Sequence, residues 1–121
     1  MLQKEKYPKQ CSEDVLQSQC FSWAWNTYPQ TRRLLWAVPN GGSRHPLEAM
    51  KLKSTGVVKG VHDMHFFWNK KFFTFELKVG TNKMSAEQAE WQRLVEKHGA
   101  VCYEIRNFDI FKDIFSNLVL L

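Results

Sequence analysis

Asp63 and the segment Glu76-Leu77-Lys78 are the residues of this sequence best suited to chemistry at a metal ion. Between them run two β-rich stretches, residues 64–68 and 72–78, broken by Asn69-Lys70-Lys71, a composition typical of a hairpin turn. If Asn69 and Lys70 are the turn residues, Trp68 faces Lys71, and counting back along both strands sets Asp63 directly opposite Glu76. Opposed side chains on one sheet face have Cβ atoms about 4.5–5.5 Å apart, and like charges placed there repel, so a cation belongs between them. Side chains alternate along a strand, which puts Glu76 and Lys78 on one face and Phe73, Phe75 and Leu77 on the other. Two carboxylates supply the hard oxygen donors that Mg²⁺ or Mn²⁺ prefers. An ammonium two residues away would orient a water bound to that cation or stabilise charge on it, while the cation offsets charge growing on a phosphoryl oxygen. The bland alternative is an ion-pair cluster on an amphipathic hairpin, but exposed pairs add little stability.

His62 and His65 flank Asp63. In an extended strand His65 shares the face of Asp63 and His62 takes the opposite one. A helical phosphohydrolase centre built on a His-Asp pair is disfavoured because the surrounding segment reads as strand.

The elements that must hold this site follow from local patterns. Ser12 is placed to cap a helix with Glu13 and Asp14 in its first turn, an apolar set of Val15, Cys20, Phe21, Trp23 and Trp25, and an end near Tyr28-Pro29. Residues 34–38 form a short apolar run whose length favours a buried strand. Pro46 opens a helix carrying Leu47 and Met50 that closes by Gly56. Ser85 and Gln88 have capping-box spacing, and the helix they open carries Trp91, Leu94 and Val95 up to Gly99. A strand over residues 100–105, a helix capped by Asn107 and an apolar tail over residues 118–121 complete the chain, with the tail either finishing the core or packing on a second subunit.

Composition sets the class. The 121 residues are 44% hydrophobic, 14% aromatic and 24% charged, which is globular rather than disordered. The length suits a single domain over residues 1–121, with residues 1–11 as a polar leader. A formal net charge of +5 and a pI near 9.2 favour a polyanionic partner. Cys11, Cys20 and Cys102 lack the close pairing of zinc or redox motifs, read as buried apolar residues, and point to a reducing compartment. The charged start, Met1 to Lys6, has no apolar run behind it, and no stretch reaches the ~18 apolar residues of a spanning helix. The expectation is a cytoplasmic protein without a membrane partner.

Asp63 followed by Glu76-Leu77-Lys78 resembles the PD-(D/E)XK nuclease superfamily. The flanks sharpen this: Pro39-Asn40-Gly41-Gly42-Ser43-Arg44, Glu48-Ala49, Leu52-Lys53, Gly56, Gly60-Val61, then Ser85 with Gln88 resemble, in that order, the virus-type replication-repair nuclease (VRR-NUC) family. The likeness spans roughly residues 13–101 and resembles the stand-alone form, which makes a phage or bacterial origin the expectation. It implies an α/β fold of the restriction-endonuclease type, a mixed sheet flanked by helices. It implies a Mg²⁺-dependent endonuclease, with Mn²⁺ able to substitute, in which Asp63, Glu76, the Leu77 carbonyl and Glu13 bind metal. Lys78 would be the catalytic lysine and Gln88 would contact water or phosphate. Small stand-alone members further imply branched DNA such as Holliday junctions as substrate, and a homodimer. In one place the chain departs: relatives commonly have proline where His62 stands before Asp63.

Several of these residues have a structural explanation too. Asn40, Gly41, Gly42, Ser43 and Arg44 are either a plain turn or a nucleic-acid contact in which backbone amides and Arg44 meet phosphate. The loop lacks the lysine and spacing of a nucleotide-binding loop, so no nucleotide cofactor is expected. Gln88 is explained equally by helix capping, and Glu13 by the helix dipole. Lys51, Lys53, Lys70 and Lys71 are solvated or touch a DNA backbone. The competing function is a non-catalytic DNA-binding module on the same fold; a small-molecule phosphoesterase has no pocket visible in the sequence.

Overall fold

A computed structural model of the protein describes residues 9–39 and 45–121, with side chains from residue 13 onward in the first of these segments. The chain runs α1 (Lys9–Thr27), β1 (Leu35–Ala37), α2 (Pro46–Ser54), β2 (Met64–Trp68), β3 (Lys71–Leu77), α3 (Ala86–Lys97), β4 (Val101–Ile105) and α4 (Phe108–Leu120), with one 3-10 turn at Pro29–Thr31. This is the expected order of elements and an α/β fold. The four strands form one sheet in the order β1-β2-β3-β4. The first two pairings are antiparallel and β3 with β4 is parallel, so the sheet is mixed. A parallel neighbour requires a crossover, and α3 is that crossover.

Strand alternation sorts the sheet into two unlike faces. Met64, Phe66, Phe73, Phe75, Leu77 and Ile105 point to one side, where Leu16, Cys20 and Ala24 of α1 and Phe111, Phe115 and Val119 of α4 complete the core. The packing there is mostly aromatic. Phe115 lies 4.6 Å from Phe66 between ring centroids, Phe111 lies 5.1 Å from Phe75, and Trp23 meets both helix rings edge-on at 6.1 Å. The Tyr28 hydroxyl donates to Ser116 Oγ at 2.8 Å, tying the end of α1 to α4. The opposite face carries Thr74, Glu76 and Lys78, all buried, and α3 lies on this side through Trp91.

The structure corrects the start of the first helix and adds detail elsewhere. Helix α1 begins at Lys9, so residues 9–11 belong to it rather than to a leader, and Ser12 lies inside the helix. Glu13 and Asp14 therefore fall beyond the first turn, where the helix dipole has largely faded. Helix α2 forms where Pro46 and the His45 cap place it, yet buries nothing: Leu47 and Met50 are 71% and 67% exposed. Its weak amphipathic pattern held too few apolar positions to specify a docking face. The apolar tail divides, with Val119 in the core and Leu120 and Leu121 exposed. Cys20 is buried in the core and Cys102 half-buried, both as free thiols, while the Cys11 side chain lies outside the described residues.

Truncating Phe115 opens a cavity among five aromatic neighbours. Phe115→Ala is expected to cost about 3–5 kcal/mol in urea unfolding, whereas Leu47→Ala on the exposed α2 should stay within about 0.5 kcal/mol.

Candidate active site

The turn that sets the site is made by Asn69 and Lys70, whose φ angles of 52° and 66° are both left-handed. Two such residues in sequence match the twist of a two-residue hairpin, and Asn is among the few non-glycine residues that adopt them readily. The turn imposes the register Trp68↔Lys71 through Met64↔Phe75, so the next pair is Asp63 with Glu76. The expected opposition of the two carboxylates is present. The Asp63 amide donates to Glu76 Oε1 at 3.2 Å, and the Leu77 amide donates to Asp63 Oδ2 at 2.8 Å. On the far side, the Val38 amide donates to the Asp63 carbonyl at 2.8 Å. Asp63 is thus held from β1 and from β3 at once. Lys78 brings its Nζ to 3.3 Å from Glu76 Oε2.

Burial dominates the electrostatics. Glu76 is 1% exposed, and its carboxyl is pushed up to about 8, first by burial and then by the neighbouring Asp63 charge; Lys78 offsets only part of this. Burial beside Asp63 therefore favours the neutral form of Glu76. His62 and His65 are also buried, and burial pushes both imidazoles below their usual range. Nδ1 of His62 shares a hydrogen bond with Thr74 Oγ1 at 2.9 Å. Nε2 of each ring has no partner at hydrogen-bonding geometry, although the Gln88 backbone lies near enough to His62 to oppose its downward shift.

Both histidines lie under α3. Trp91 stacks on His65 at 5.5 Å and packs obliquely on His62 at 4.9 Å. The expectation that His62 would take the opposite face from His65 fails because the strand starts at Met64, not at His62. Alternation does not extend through the bend at Asp63.

The remaining sequence-derived residues are distributed as follows. Gln88 forms the capping box: its Oε1 accepts from the Ser85 amide at 2.9 Å while its own amide donates to Ser85 Oγ at 3.1 Å. Glu13 accepts from Asn82 Nδ2 at 3.0 Å, on the turn after Lys78. Among the described residues, no three His, Cys, Asp or Glu side chains gather into a metal-binding group, so Glu13 does not close a cluster with Asp63 and Glu76. Asn40, Gly41, Gly42, Ser43 and Arg44 lie outside the described residues. Sequence reading missed Thr74, Trp91 and the pair Glu104 and Arg106. Glu104 is the register partner of Glu76 on β4 and is paired with Arg106, which also donates to the carbonyls of Gly80 and Asn82. Arg106 thereby fixes the turn that follows Lys78. Only the parallel β3–β4 pairing brings it there, and no local pattern signals that.

The donor set suits a hard divalent cation. Asp63, Glu76 and the Leu77 carbonyl offer oxygen only, and Mg²⁺ ordinarily takes one or two carboxylates and leaves its other positions to water and substrate. Glu76, buried beside Asp63, is a group whose charged form such a cation would favour.

No family model matches the sequence, and no curated protein matches it. The fold does match a solved structure described as a VRR_NUC domain protein, with a TM-score of 0.73 and 21% identity, covering 90% of this chain and 88% of that one. The chain has the VRR-NUC fold. The hairpin that places Asp63 opposite Glu76 belongs to the part of the chain that shares this fold. No described helix of it is long and apolar enough to cross a membrane.

The raised Glu76 value has a definite pH signature. A carboxyl held above its ordinary 4.5 in the folded state stabilises at low pH, and that contribution is lost as pH climbs from about 4.5 to about 8. In chelator, thermal stability should fall across this window in the wild type and stay flatter in Glu76→Gln. Added Mg²⁺ should recover stability mainly at the alkaline end. Parallel wild-type and variant profiles would contradict the assignment.

Proposed function

We propose that this protein is a Mg²⁺-dependent nuclease that hydrolyses DNA phosphodiester bonds. The observation that carries the reading is the opposition of Asp63 and Glu76 across the hairpin, with Lys78 beside Glu76 on the same buried face. The VRR-NUC fold and the net charge of +5 support it. When bound, a divalent cation supplies Lewis-acid polarisation of a phosphoryl oxygen and activation of water.

The protein's own groups do the positioning. Asp63 and Glu76, with the Leu77 carbonyl, hold the cation. The Leu77 amide keeps the Asp63 carboxylate aimed across the hairpin. Lys78 places a positive charge, 8% exposed, at the same end of the sheet, where it orients the attacking water and stabilises charge developing on the phosphate. Asn40, Gly41, Gly42, Ser43 and Arg44, which the family resemblance marks as a nucleic-acid contact, would offer backbone amides and a guanidinium to substrate phosphates.

Branched DNA such as a Holliday junction is the substrate we assign within this class, cut by a homodimer. A two-fold pair of sites matches two symmetric cuts. That assignment follows from the resemblance to small stand-alone VRR-NUC proteins.

Asp63→Asn and Lys78→Ala should each reduce cleavage by at least about a hundredfold with the fold retained by circular dichroism, the scale seen when a transition-state charge partner is lost. A panel of linear duplex, single strand, flap and four-way junction in Mg²⁺ or Mn²⁺ reads both activity and preference. Undiminished cleavage by either variant defeats the assignment of the site. Salt-sensitive binding by the wild type with no cleavage in either metal would instead identify a DNA-binding module.

A further inference from the structure

The segment just before Asp63 lies outside the sheet ladder. Met64 is the first residue of β2; ahead of it Asp63 keeps a backbone bond from the Val38 amide, while Val61 and His62 lie outside the strand. A carboxylate just beyond the last residue of a strand gains from a further restraint, since misplacement by about 1 Å can cost on the order of a hundredfold in rate.

His62 supplies one. It is fully buried, its Nδ1 is bonded to Thr74 Oγ1 at 2.9 Å, and its ring packs against Trp91. Thr74 is itself fully buried in the middle of β3, two residues before Glu76. Gly60 closes the same clamp from behind. Its φ of 85° favours glycine, and a Cβ there would overlap the Glu87 carbonyl in the first turn of α3. The residues preceding Asp63 are therefore pinned to β3 by a side-chain bond and to α3 by close backbone contact.

We propose that His62 is a positioning residue for Asp63, acting through its hydrogen bond to Thr74 so that β3 carries both Glu76 and the anchor of its opposing carboxylate. The bond does across the strands what the ladder does from Met64 onward. It makes the separation of the two carboxylates a property of one rigid strand. The proposal rests on the reading of Asp63 and Glu76 as a cation site, and predicts which residue next to it sets cation affinity.

Thr74 gives the cleaner test, because His62→Ala removes packing as well as the bond. Cys102→Ala, which removes the other group the Thr74 hydroxyl meets, is the control and should leave both readouts near wild type. Thr74→Val is isosteric but has no hydroxyl; Thr74→Ser keeps it. Two measurements on the full chain separate the outcomes: Mn²⁺ binding by calorimetry, and hydrogen exchange of the Leu77 amide, the donor to Asp63, relative to the Phe73 amide. Thr74→Val should weaken Mn²⁺ binding about 10–100-fold, the usual cost of losing an outer partner of a ligand, and should speed Leu77 exchange relative to Phe73. Thr74→Ser should stay near wild type in both. Equal behaviour of the two variants, or exchange accelerated uniformly at both amides, would overturn the proposal by reducing His62 to packing. If the wild type binds no Mn²⁺, the cation reading fails, and the Leu77 exchange ratio still decides the tether.

Discussion

Everything at this site depends on the placement of two carboxylates against one another on a buried sheet face. Asp63 and Glu76 would repel in any arrangement that left them to solvent, and a flexible chain would separate them. The hairpin prevents this. Its turn has two left-handed residues, its register is fixed by Phe and Met side chains that must face the core, and the Leu77 amide holds the Asp63 carboxylate across the strands. A slip of one residue would turn the aromatic set outward and bury the charged set in its place. The stability of the core and the geometry of the site are therefore set by the same constraint.

The two faces of the sheet divide the work. On one side, α1 and α4 close over Phe66, Phe75, Phe111 and Phe115, giving the sheet a rigid backing. On the other, α3 covers His62, His65 and Thr74 and leaves Glu76 and Lys78 buried at one end. Burial there is not neutral. It raises Glu76, where an exposed pair of acids would both ionise near their usual values, and this gives the site its demand for positive charge. Lys78 meets part of that demand from within the chain.

Local patterning made much of this legible. The Asn69-Lys70 turn, the alternation of residues 72–78, the Ser85–Gln88 capping box and the Asn107 cap each carry their own physical signal, and each element formed within a residue or two of its expected bounds. The opposition of Asp63 and Glu76 followed by counting. Where local signals were weak or doubled, reading failed or stayed open. Helix α1 starts before Ser12, α2 has no buried face, and Glu13 meets Asn82 rather than a carboxylate cluster. A capping residue and a site residue look alike in sequence, and Gln88 fills the first role.

The sequence by itself determined the strands, the register of the hairpin they form around Asn69-Lys70 and so the pairing of the two acids, because a tight turn and a two-residue period act between neighbours along the chain. Only the tertiary structure decided the burial that raises Glu76, the anchoring of His62 on Thr74 under Trp91, and the hold of Arg106 on the turn after Lys78. Those contacts join β2, β3, α3 and β4, elements whose mutual placement depends on how an aromatic core packs as a whole, and no local period encodes that.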